Sequence, residues 1–148
     1  MTQRLGVLAY AVLLGWALRL SLIAMSAAIV GGFPDALLAH PWLDFALKAP
    51  FVALIEAASH ALIGFAYWSG TDDRVPSAFA WSLAAAAALG ATVWPVPPPS
   101  LPLLLSLTAC ARLFGLALGP WLGARTEHDP RAVEIRRILF LAYPFRLR

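Results

Sequence analysis

Glu56 and His60 lie four residues apart inside the apolar run FVALIEAASHALIGFAYW, residues 51–68. At that spacing a carboxylate and an imidazole leave one face of a helix, with Ser59 beside them and Ile63 and Tyr67 continuing the stripe. Two further charges sit in comparable apolar surroundings, Arg19 and Arg112. Three kinds of chemistry suit such a set: metal ligation, nucleophilic catalysis and buried ion pairing.

Metal ligation is the poorer fit. A zinc site takes at least three protein ligands, and the E-x-x-x-H spacing of Glu56 and His60 is not the H-E-x-x-H arrangement. His40 and His128 fall in connections on opposite sides, so neither completes the pair. No metal and no cofactor is expected, and a haem axial role for His60 requires a second ligand from another chain. Nucleophilic catalysis has less support, because Cys110 and Ser106 have no base on their own helical face. No glycine-rich phosphate loop is present. The sequence therefore leaves open whether the chain is an enzyme.

Ion pairing has the clearest physical motive. A central charge costs about 2.5 to 3.5 kcal/mol to insert, so Arg19, Glu56 and Arg112 isolated in lipid would together cost about 8 to 10 kcal/mol. With a helix beginning after Pro50, Glu56 lies about 9 Å inside it, in the outer half of the bilayer. Arg19 is displaced towards the same side, which predicts an Arg19–Glu56 pair. Arg112 lies about 16 Å from either end of its span, level with His60. Counted with a neutral His60, two cations face one anion. The expected balance for Arg112 is an acidic residue of a partner chain, an anionic headgroup or substrate, or backbone carbonyls.

The elements that carry these residues follow from composition. In 148 residues, 61% are hydrophobic and 13% charged, with a mean hydropathy of +0.75. That excludes an ordinary soluble domain and predicts an all-α integral membrane protein. Four spans are expected, at about 5–30, 51–68, 77–94 and 101–123, forming one domain and a four-transmembrane-helix bundle. Span one is too long for a signal-peptide core and carries Arg19, so it is read as retained. Between spans one and two, Asp35 to Lys48 predicts a short interfacial helix, with Pro41 in its first turn. Span three is alanine-rich and depends on close packing, and Pro95 to Ser100 makes a stiff crossing. Span four sets Ala111, Gly115, Gly119 and Gly123 at four-residue intervals, a small-residue ribbon suited to helix packing. Residues 124–148 form a basic amphipathic tail whose apolar stretch is too short to cross, so it is expected on the membrane surface against anionic headgroups.

Ten of the eleven basic residues are arginine. In the four-span arrangement eight of them (Arg4, Arg74, Arg125, Arg131, Arg136, Arg137, Arg146 and Arg148) fall on one side and only Lys48 on the other. Both termini are therefore expected to be cytoplasmic, in a cell inner membrane. Trp68, Trp81 and Trp121 mark one interface and Trp42 and Trp94 the other, leaving Trp16 mid-span. The basic residues form no aromatic-interleaved stripe, so nucleic acid is not an expected partner. Cys110 is the lone cysteine and makes no intrachain disulfide.

Two functions fit this object. One is a non-catalytic accessory, assembly or scaffold subunit whose arginines and glycine ribbon meet another membrane protein or a second copy of itself. The alternative is a small membrane enzyme, carrier or receptor that holds an anionic amphiphile or lipid in a pocket of Arg19, Glu56, Ser59, His60 and Arg112.

Overall fold

The computed structural model describes residues 2–71 and 101–140, and all regular structure among them is helical. Helix α1 spans Thr2–Val30, α2 Asp35–Leu38, α3 Pro41–Thr71, α4 Leu101–Arg125 and α5 Pro130–Phe140. Three stretches are long and apolar enough to cross a membrane: Leu5–Val30, Pro41–Thr71 and Ser106–Arg125. This is a membrane protein by length and composition of its helices. The alanine-rich span at 77–94, the polar turn before it, the proline-rich crossing and the last eight residues lie outside the described residues.

One expected boundary differs. Helix α3 does not begin after Pro50 but runs through it, from Pro41. Residues 41–48 are thus the first turns of the long helix, and only the single-turn α2 stands apart from it. Pro41 occupies the first helical position, where its missing N–H has no partner to lose. Pro50 removes one internal bond, a loss that membrane helices absorb through neighbours and local adjustment. Lys48 and Asp44, 2.5 Å apart and one turn from each other, form an ion pair just ahead of it. At 1.5 Å per residue α3 is about 46 Å long, more than the ~30 Å hydrocarbon core requires.

Helix α3 is the centre of the described fold. Its contacts with α1 run antiparallel: Gly15 meets Ser59 and Ile63, and Arg19 meets Glu56. Val7, Leu8 and Ala11 of α1, Ile63, Ala66 and Tyr67 of α3 and Leu116 of α4 close an apolar cluster. Its contacts with α4 run parallel. Gly115 sits on the backbone of Ala57 and Ala61, Gly119 on that of Ala61 and Phe65, and Gly123 on the Trp68 ring. No Cβ fits at any of the three, and Ala111 one turn earlier is buried. Small side chains are needed there because without a water-driven hydrophobic force, helices in lipid associate through close van der Waals contact. Gly64 completes the seam from the other side: a Cβ on it would come within 2.9 Å of the Leu116 carbonyl, which Pro120 leaves without its helical donor.

At the far end of α4, helix α5 folds back. Arg136 donates from Nη2 to the carbonyls of Gly123 and Thr126, both at 3.1 Å, and its guanidinium lies 4.9 Å from the Trp68 ring centroid. The Gly123 carbonyl lies in the last turn of α4, a favourable place for a cation, and the Thr126 carbonyl just past the helix also accepts from the Asp129 N–H at 3.1 Å. Ala132 is buried, while Arg131, Val133, Glu134, Ile135, Arg137 and Ile138 are exposed.

Candidate functional site

Glu56 is 3% exposed and joins all three long helices. Its Oε1 accepts from Arg19 Nε at 3.0 Å and Nη2 at 2.7 Å, and its Oε2 accepts from Arg112 Nε at 2.6 Å. Both arginines are themselves buried. Hydrogen bonds between ionised groups are roughly twice as strong as neutral ones, so the carboxylate is well satisfied. The Arg19 guanidinium also lies 5.6 Å from the Trp16 ring centroid.

The expected Arg19–Glu56 pair forms, but the expected separation of Arg112 from Glu56 does not. The reason is the start of α3. Because the helix begins at Pro41, Glu56 lies the same fifteen residues from each end, at mid-helix rather than in the outer half. Arg112 is also at the middle of α4, and the parallel seam brings the two level. One carboxylate thus serves two helices.

Ser59 and His60 complete the cluster on α3. Ser59 Oγ donates to the Glu56 carbonyl at 3.2 Å. His60 Nδ1 lies 2.8 Å from the same carbonyl and 3.2 Å from Ser59 Oγ, but 3.8 Å from Glu56 Oε2. The ring is therefore oriented by its own backbone one turn back. A crevice beside it is lined by Trp16, Arg19, His60 and Arg112 with Gly15 and Ile63 as walls, and has room for about one water molecule.

Ile63 lies on the stripe that Glu56 and His60 begin, whereas nothing in the sequence marks Gly15 and Trp16 as lining residues, although Gly15 precedes Arg19 by one turn on the same face, the spacing at which a small residue makes room for a neighbour. Nor does the sequence mark Ala57 and Ala61 of α3 as the surface on which the glycine ribbon rests. Ser106 and Cys110 are exposed, on the outside of α4. Among the described residues no three His, Cys, Asp or Glu side chains gather as a metal-binding group, and His40 and His128 are exposed in their connections. In comparisons with known proteins, no family model, no curated protein and no solved structure matches this chain.

Proposed function

We propose that the chain is a non-catalytic accessory, assembly or scaffold subunit that packs against another membrane protein. The observation that carries this reading is an outward ribbon of small residues on α1. Ala17, Ser21, Ala24 and Ala28 share one face of that helix and all are exposed. The seam between α3 and α4 uses the same device inside the chain, and a second such ribbon facing outward suits a helix of another subunit. The polar cluster supports the non-catalytic part: the one carboxylate at its centre is taken up in aligning three helices, and the crevice is small for the head of an anionic amphiphile.

The full reading is a four-span bundle in a cell inner membrane with cytoplasmic termini. Support for the span at 77–94 comes from direction. Helices α3 and α4 run parallel, so the chain between Thr71 and Leu101 has to return about 37 Å, the length of α4, before α4 begins. A span at 77–94 does so. Support for orientation is the arginine count, and the exposed Ile135 and Ile138 beside Arg131 and Arg137 on α5 suit a surface of anionic headgroups.

The test is native electrophoresis of the mildly solubilised protein from its own membrane. An accessory subunit migrates in a larger assembly, and Ala24→Leu, which enlarges the outward ribbon, releases it as a folded free chain. A homogeneous monomer carrying retained anionic lipid would replace this reading with the carrier alternative.

A further inference from the structure

Arg125 is the last residue of α4 and of the apolar stretch Ser106–Arg125. The 20 residues of that stretch rise about 30 Å, the depth of a hydrocarbon core. Polar residues follow at once, from Thr126 to Asp129, so the Arg125 guanidinium stands at the level of the headgroups. Long helical side chains lean towards the N-terminus, and the guanidinium lies back over the ring of Trp121, one turn earlier and 5.2 Å from its centroid. An indole has no acceptor for an N–H, so the ring holds the cation without taking up its hydrogen bonds. Among the described residues no carboxylate lies within ion-pair distance of Arg125; Asp129 accepts from the Arg131 N–H, and Glu134 lies 3.7 Å from Arg137.

The pair faces away from the bundle. Trp121 stands two residues from both Gly119 and Gly123, on the opposite side of α4 from the seam with α3, and is 53% exposed. Phe114, seven residues before Trp121, continues this outer face, and both it and Leu113 are exposed. Phe114 and Arg125 are about 16 Å apart along the helix, the depth of one leaflet of a ~30 Å core. A ligand matched to this surface is apolar for one leaflet and ends in an oxyanion at the headgroup level. Free phosphate lacks the first property and a neutral acylglycerol the second.

We propose that the outer face of α4 binds one glycerophospholipid by its phosphodiester. Two phosphate oxygens accept from the guanidinium fork of Arg125, the Trp121 indole N–H donates to an ester carbonyl one turn deeper, and an acyl chain lies along Phe114 and Leu113. This site is on the outside of the bundle, apart from the crevice beside Glu56.

Native mass spectrometry of the delipidated full chain in a maltoside detergent tests this, with dioleoylphosphatidylglycerol and dioleoylglycerol as probes; the second has the same chains and no phosphate. The parent protein should retain one phospholipid about fivefold over the acylglycerol, the equivalent of one net hydrogen bond. Arg125→Gln should remove that preference, and Arg125→Lys, which keeps the charge without the fork, should keep part of it. Arg137→Gln, on α5, should leave it unchanged. Both arginines are exposed, so these variants leave the packing intact. Equal retention of the two lipids by the parent, or an undiminished preference in Arg125→Gln, overturns the proposal. A loss in Arg137→Gln as large as that in Arg125→Gln overturns it in favour of diffuse attraction to the basic surface of α5. The measurement needs no other subunit, so its outcome is separable from that of the native electrophoresis.

Discussion

Glu56 can hold three helices because a carboxylate has two oxygens and each faces a different arginine. Removing a charge from such a cluster leaves its partners buried and uncompensated, which is dearer than never having buried them. Glu56→Gln strands two guanidiniums at once and should cost about 3 to 5 kcal/mol or more of stability. Arg112→Gln leaves the Arg19–Glu56 pair balanced and should cost distinctly less. In the double variant the loss should fall short of the sum, since both changes act on one contact. Unfolding titrations in mixed micelles would measure all three, and an Arg112→Gln loss equal to that of Glu56→Gln would show that the bridge is not shared in this way.

At the scale of elements, the seam between α3 and α4 depends on the absence of side chains rather than on their presence. Gly115 and Gly119 rest on α3 backbone, so a larger residue cannot be relieved by a rotamer change on the other helix. Gly115→Leu or Gly119→Leu should therefore part the helices, lift Arg112 away from Glu56 and sharply lower the yield of folded protein in detergent, as read by size-exclusion profile. Leu113→Ala, on the exposed side of the same helix, is the control and should leave the profile unchanged. Parental behaviour of both glycine variants would mean that the seam tolerates several ångströms of separation, contrary to the packing described.

For the whole molecule, direction is the constraint with the widest reach. Helix α1 runs against α3 and α3 runs with α4, so the ends of α3 and α4 and helix α5 gather at one end of the bundle, where Arg136 stacks on Trp68. A four-span chain with cytoplasmic termini puts that end in the cytoplasm. Single cysteines introduced near Asp35 and Pro98 in a Cys110→Ser background should react with an impermeant maleimide from outside, and those near Asp73 and Glu127 only after permeabilisation. Labelling of Pro98 and Asp73 from the same side would remove the span at 77–94.

Hydropathy alone determined that this is a helical membrane protein, since an apolar run of twenty or more residues has few other fates. The four-residue spacing of Glu56 with His60, and of the glycines in α4, was equally legible, because helical periodicity converts spacing directly into a shared face. The pairing of the charges was not. Depth along a helix depends on where the helix starts, and Pro50 signals a start as strongly as Pro41 does; in the structure the helix starts at Pro41 and includes Pro50. Nor did residue types reveal that Glu56 faces two arginines, that Ala57 and Ala61 receive the glycine ribbon, or that His60 Nδ1 lies against the Glu56 carbonyl. Those depend on the rotation of each helix about its axis and on the direction in which neighbours run, quantities set by packing between segments distant in the chain and carried by no local pattern.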